Sequence, residues 1–350
     1  MAYEYNKAIA AGTGLRLHLN ENTAGCSPKV VEALNALTGE DLAIYPDYDA
    51  TVTAAAVRLQ VAPEELLLTN GLDEGILAAA VCAFRRGDET VDDPHAIIVS
   101  PAFDMYAVCT DALRARIVDV PLNPDFSFPR ERVLRSIGPA TRLIFLTNPN
   151  NPTGQMIPRE DILAIGRAAP QALVFLDEAY ADFAESTLIN DADAKALPNL
   201  IIGRTFAKAY GLAGLRAGAV IGNRATIAPF RQIVPPFSLN VCAAVALVAA
   251  FEDLDYYDWY LGQVRESKTL LYDALDRLKV RYWRSAANFV LADFGADAAR
   301  VIDGLAARGV LVRDRTRDPA SPGCVRVTTG VVRHTQMMIE ALEEVLCGAA

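Results

Sequence analysis

The chain has 350 residues, which is long for one domain, so two lobes are expected. Hydrophobic residues make up 52% of it and the formal net charge is -10. That supports a large core and argues against binding to nucleic acid or to an anionic membrane surface. The most apolar long stretch, 241–251, is too short to span a bilayer, and His18, His95 and His334 are too scattered for a metal site.

Residues 1–11 lack a positive start followed by an apolar run, so no signal peptide is expected. Cys26, Cys82, Cys109, Cys242, Cys324 and Cys347 show no CxxC spacing. They read as reduced, mostly buried thiols of a cytoplasmic protein.

From 66 to 221 short apolar runs alternate with helical patterns. Strands are expected at 66–69, 96–100, 116–120, 143–147, 172–176, 200–204 and 217–221, and helices at 73–84, 105–113 and 160–168. The strands are rich in Val, Ile, Leu and Phe without strict alternation, as for strands covered on both faces. The pattern predicts an α/β fold whose large domain holds a mostly parallel seven-stranded sheet.

Several connections in this region carry chemistry. Asn70-Gly71-Leu72-Asp73-Glu74-Gly75 joins a strand to a helix, and the free N–H groups at such a helix start bind anions. A plain glycine turn is an equal reading. There is no GxGxxG or GxxxxGK[ST], which disfavours a dinucleotide or a P-loop nucleotide. Asn148-Pro149-Asn150-Asn151-Pro152-Thr153-Gly154 fixes a turn after a buried strand. Asp177 follows the next strand, at the carboxyl end where α/β sheets place their sites, although a helix-capping aspartate is the competing reading.

Lys208 stands apart from Lys7, Lys29, Lys195, Lys268 and Lys279, which lie in polar stretches or on helix surfaces. It alone follows a buried strand and precedes a small-residue turn, where the competing reading is a snorkelling side chain. A lone amine, a buried carboxylate and Arg216 at one sheet edge can hold pyridoxal phosphate. The amine attacks the aldehyde, the carboxylate pairs with the ring nitrogen and the arginine binds phosphate.

Beyond 221 the pattern changes. Helices are expected at 239–251, with Ser238 as its cap, and at 260–278. A strand at 288–292, a helix at 297–307, strands at 310–313 and 324–328 and a helix at 335–346 follow. These form a smaller α+β domain. The division is 23–254 for the large domain and 1–22 with 255–350 for the small one. Arg326 sits within an apolar strand and needs a partner, either a bound carboxylate or a structural acid; Arg313 poses the same question.

Taken in order, Leu19-Asn20-Glu21-Asn22, Tyr45-Pro46-Asp47, Gly71 to Gly75, Asn148 to Gly154, Asp177-Glu178-Ala179-Tyr180, Arg204-Thr205-Phe206-Ala207-Lys208, Ala213-Gly214-Leu215-Arg216 and Cys324-Val325-Arg326-Val327-Thr328 resemble the histidinol-phosphate aminotransferase family. That family belongs to the fold-type I pyridoxal-phosphate enzymes. The resemblance covers about 17–345. It implies Lys208 as the residue that binds the cofactor aldehyde and moves the proton. It implies Asp177 at the ring nitrogen and Tyr180 and Asn151 at the phenolic oxygen.

The same resemblance implies Phe103 stacked on the ring, and Gly71, Leu72, Asp73, Thr205 and Arg216 around the phosphate. Asn20, Asn151, Arg313 and Arg326 face the substrate, with Arg326 on its carboxylate and Arg313 on a distal phosphate. Tyr45 reaches the cofactor of a second subunit, which implies a homodimer. The activity implied is transfer of the amino group of histidinol phosphate to 2-oxoglutarate. An aromatic or broad amino-acid aminotransferase and a phosphothreonine decarboxylase-like lyase are the alternatives.

The chain departs from the family pattern in three places. Ala207 replaces a serine before the lysine, removing one phosphate hydrogen bond worth about 0.5–1.5 kcal/mol. The N-terminal arm, 1–14, is short and holds only Tyr3 and Tyr5. Asn22-Thr23-Ala24-Gly25 stands where a proline and an aromatic are usual.

Overall fold

A computed structural model describes residues 14–84 and 92–348. Tyr3 and Tyr5 of the N-terminal arm lie outside the described residues. β1 (Leu15–Leu17) opens the described chain. β2 (Leu66–Asn70), β3 (His95–Ser100), β4 (Arg116–Pro121), β5 (Thr141–Thr147), β6 (Leu173–Asp177), β7 (Leu200–Thr205) and β8 (Ala217–Gly222) form a seven-stranded sheet ordered β2-β8-β7-β6-β5-β3-β4. β8 runs antiparallel to both neighbours and every other pair is parallel. Each expected strand is present, displaced by no more than two residues at an end.

The central strands are almost wholly buried because helices cover both faces. Ile144, Val174 and Ile202 point into one apolar cluster, while Phe145, Phe175 and Ile201 point into another. Alternate residues of one strand thus serve two cores, which explains the continuous apolar runs.

The second sheet has the order β1-β11-β12-β10-β9, with β9 (Arg281–Trp283), β10 (Phe289–Asp293), β11 (Val310–Asp314) and β12 (Cys324–Thr328). The helices Ala298–Ala307 and Val332–Cys347 pack with it around a separate apolar cluster. Sequence reasoning did not anticipate β1 or β9. Each is three residues long, too short for a periodic signal, and each is recruited by a neighbour.

The long helix Leu254–Arg277 starts earlier than the expected 260. Its first half places Tyr257, Tyr260 and Val264 in the large cluster, and its second half places Leu271 and Leu275 in the small one. One helix therefore serves both cores.

Ser238 does not cap the next helix. Asn240 does, accepting from the Ala243 N–H at 2.8 Å at the start of Val241–Phe251. The Ser238 hydroxyl instead donates to Glu74. Asparagine and serine are comparable caps, and the chain enters the helix two residues later than the apolar run suggests. Among the thiols, Cys109 and Cys324 are buried, Cys26, Cys82 and Cys242 half-buried and Cys347 exposed. Burial is therefore complete for two. No helix among the described residues is long and apolar enough to cross a membrane.

Two glycines set how closely the helix Gly71–Phe84 approaches the sheet. Gly71 has φ +74°, and a Cβ there would lie 2.7 Å from Arg216 Nη2. A Cβ on Gly218 of β8 would lie 2.6 Å from the backbone of Gly71 and Leu72. Backbone cannot move aside as a flexible side chain does. Gly218→Ala is therefore expected to cost about 1–3 kcal/mol in urea denaturation. Gly262→Ala, in open space within a helix, is expected to be neutral or stabilising by up to about 1 kcal/mol. Equal effects of the two would contradict the close approach.

Candidate active site

β5, β6 and β7 are parallel neighbours in register, with Thr147 opposite Asp177 and Asp177 opposite Gly203. Their carboxyl ends therefore open on one place. There the structure forms a cavity of about 420 Å3. Twelve of the fourteen residues singled out from the sequence line it; Gly71 and Tyr45 do not. Gly71 lies just behind, under the Arg216 guanidinium. Tyr45 is 78% exposed and stacks on Phe237 with ring centroids 4.4 Å apart, on the surface of its own chain.

Asp177 ends β6 and is buried. Its Oδ1 accepts from the Ala179 N–H at 2.9 Å and its Oδ2 from the Tyr106 hydroxyl at 2.6 Å. Burial pushes its pKa up to about 6, against the pull of these two donors. Lys208 is half-buried and donates from Nζ to the Leu19 carbonyl at 3.0 Å. Burial first, and the Arg326 charge second, bring its pKa down to about 8. At neutral pH an appreciable fraction of this amine is thus unprotonated.

The Tyr180 hydroxyl accepts from Asn20 Nδ2 at 2.9 Å and from Asn151 Nδ2 at 3.4 Å. Burial raises its pKa, while the Arg326 charge lowers it. Asn20 is held by the small sheet, since its backbone N–H donates to the Thr328 hydroxyl at 3.1 Å. The site is therefore built from both sheets.

Leu72, Asp73, Thr205 and Arg216 line the cavity from the side of the large sheet and the helix Gly71–Phe84. Leu72 and Asp73 are in the first turn of Gly71–Phe84, whose N–H groups have no partner within the helix. Arg216 Nη2 donates to Asp73 Oδ2 at 2.8 Å. Ala207 also lines the cavity and brings a methyl where a serine would bring a donor.

Arg313 on β11, Arg315 just after it and Arg326 on β12 line the cavity from the small sheet. Arg326 is buried, donates from Nη2 to the His18 carbonyl at 2.9 Å and from Nη1 to Asn151 Oδ1, and stacks 5.2 Å from the Phe289 ring centre. Its Nε has no hydrogen-bond partner among the described residues. Among the described residues neither Arg326 nor Arg313 has a carboxylate partner. In the antiparallel register of β11 and β12 these two arginines lie directly opposite each other. Like charges placed opposite are destabilising on their own. Burial, with the neighbouring Arg315 and Arg313 charges, pulls the Arg326 pKa down to about 10 despite Tyr180.

These donors fit pyridoxal phosphate. Its phosphate suits the helix start with Arg216 and Thr205, its ring nitrogen suits Asp177, its phenolic oxygen suits Tyr180 and Asn151, and its aldehyde suits Lys208.

The aminotransferase class I and II family matches residues 13–345. The chain belongs to that family. It is accordingly a pyridoxal-phosphate-dependent aminotransferase. This aminotransferase is 34% identical to the histidinol-phosphate aminotransferase of Methanococcoides burtonii, over 97% of its own length and 92% of the relative's. It is 34% identical to that of Symbiobacterium thermophilum, over 95% and 90%. Among solved structures, the histidinol-phosphate aminotransferase of Sinorhizobium meliloti in complex with pyridoxal-5'-phosphate superposes with a TM-score of 0.87. It is 26% identical, covering 100% of this chain and 96% of that one.

Sequence reasoning missed Tyr106, Thr147 and Arg315. Tyr106 lay in the expected helix 105–113 as one more apolar residue, three places after Phe103. Its hydroxyl was the available signal, because a buried tyrosine needs a partner. Arg315, just beyond β11, reaches the cavity while pairing with Asp318 at 2.5 Å.

The lowered Lys208 pKa is testable without cofactor. Acylation of Lys208 in the apoprotein, followed by peptide mass spectrometry, is expected to rise with pH about a midpoint near 8. A midpoint near 10 would contradict the burial argument.

Proposed function

We propose that this aminotransferase transfers the amino group of histidinol phosphate to 2-oxoglutarate. The observation that carries this reading is the facing pair Arg313 and Arg326. A phosphate dianion between two guanidinium groups neutralises both, whereas an α-carboxylate supplies one negative charge. In the second half of the reaction the carboxylate of the 2-oxo acid takes Arg326. The names of the full-length relatives support the same substrate.

When bound, the cofactor supplies an electron sink that makes the substrate Cα–H acidic. The chain's residues do the rest. Lys208 as the free amine takes the proton from Cα and returns it elsewhere in the reacting system. Its lowered pKa suits a base working near neutral pH. Asp177 keeps a proton on the ring nitrogen, Tyr180 and Asn151 orient the phenolic oxygen, and Phe103 covers a face of the ring. Leu72, Asp73, Thr205 and Arg216 would anchor the phosphate and so keep the cofactor in the cavity through the reaction.

The site of one chain is completed by Tyr45 of a second copy. Leu42, Ile44, Tyr45 and Phe237 are each more than half exposed, an apolar group that suits a subunit contact. The expected outcome of Tyr45→Phe is weaker cofactor binding. Hybrid dimers with Lys208→Ala subunits should recover one site of ordinary affinity. Hybrids no better than the Tyr45→Phe homodimer would refute the sharing.

Substrate choice is read from amino transfer with histidinol phosphate and phenylalanine, and from carbon dioxide release with O-phosphothreonine. Histidinol phosphate should give the highest kcat/KM. Arg313→Ala should cost it about 1.5–3 kcal/mol, roughly tenfold to a hundredfold, and spare phenylalanine. Equal losses on both would remove Arg313 from phosphate binding. Lys208→Ala should abolish transfer without unfolding the chain.

A further inference from the structure

Asp177 does not stand alone. The Tyr106 hydroxyl, on a side chain 1% exposed, lies 2.6 Å from Asp177 Oδ2 and 2.9 Å from Thr147 Oγ1. A phenol has one proton. The ionised carboxylate can only accept, so that proton goes to Asp177 and Thr147 must donate to the tyrosine oxygen. The three groups form a chain running Thr147 to Tyr106 to Asp177, with every hydrogen bond pointing toward the carboxylate.

The chain is braced on every side. Tyr106 stacks on Phe145 at 4.6 Å and meets the Phe103 ring edge-on at 5.9 Å. Its backbone carbonyl accepts from the Thr110 hydroxyl at 2.7 Å. Thr147 is in register beside Asp177 on the neighbouring strand. The Ala179 N–H holds the other carboxylate oxygen. Asp177 therefore has one fixed orientation, and a buried carboxylate that would otherwise take up a proton stays charged.

We propose that Tyr106, oriented by Thr147, is a positioning residue that keeps the Asp177 carboxylate ionised and aimed at the cofactor's ring nitrogen. This rests on the reading that Asp177 faces that nitrogen. The geometry separates this role from packing, because packing needs the ring of Tyr106 and the hydrogen-bond chain needs only its oxygen.

The experiment measures equilibrium binding to apoprotein of pyridoxal phosphate and of an analogue with C–H in place of the ring nitrogen. Tyr106→Phe should weaken pyridoxal phosphate about tenfold, the scale of one charge-assisted hydrogen bond, and change the analogue less than about twofold. Equal weakening of both ligands, or of neither, overturns the proposal. Thr147→Val should show the same selectivity at smaller size and Thr147→Ser should restore it. Should Tyr106→Phe not fold, that pair decides, and a Thr147→Val variant without selectivity overturns the proposal. Asp177→Asn is the control on the underlying reading. If it weakens both ligands equally, Asp177 does not serve the nitrogen. If it discriminates and Tyr106→Phe does not, the role of Tyr106 alone fails.

Discussion

Three parallel strands that stop at the same level govern this molecule. β5, β6 and β7 are hydrogen-bonded in register, so Thr147, Asp177 and the turn leading to Lys208 emerge side by side. Strand register is stiff because a slip of one residue would turn Phe145 and Phe175 out of their core and put Leu146 and Leu176 in their place. The cost of disturbing two apolar clusters thus protects the placement of a few polar groups at the sheet edge. Brought together this way, an amine and a carboxylate share a cavity without any contact in sequence.

Charge in that cavity is balanced for a visitor rather than for the chain. Arg326 is buried and faces Arg313, and neither forms an ion pair with a carboxylate among the described residues. Elsewhere the chain treats a buried arginine differently. Arg204, near the end of β7, pairs with Asp182 at 2.6 Å and also meets Glu178. The same residue type is paired with acids where it supports the fold and left without an ion pair where it lines the cavity. An unneutralised buried cation is costly, and an anionic ligand removes that cost on binding. After burial, the Arg326 charge also helps hold Lys208 at a lowered pKa.

The small sheet contributes more than a lid. β12 carries Arg326 and Thr328, the segment after β1 carries Asn20, and Asn20 donates to Tyr180 of the large sheet. The Lys208 amine meets the Leu19 carbonyl from the same segment. Cavity-lining groups of the two sheets are therefore linked by hydrogen bonds. The helix Leu254–Arg277 contributes to both apolar cores and spans the same division.

The alternation of apolar runs determined the seven strands of the large sheet, since strands buried on both faces announce themselves by composition. Local strings determined the amine, the carboxylate, the Asn151 turn and Arg326, because each is an unusual residue at the end of, or within, an apolar strand. Short elements such as β1 and β9 were not legible, because three residues carry no period and form only when a neighbour offers its edge. Tyr106 was hidden for the opposite reason: in a helix it is one more apolar residue until its hydroxyl finds Asp177. The sequence by itself thus determined which chemical groups the protein owns. Tertiary structure alone decided that Arg313 faces Arg326 and that Thr147, Tyr106 and Asp177 form one chain, because strand register and helix packing bring together residues that local sequence leaves apart.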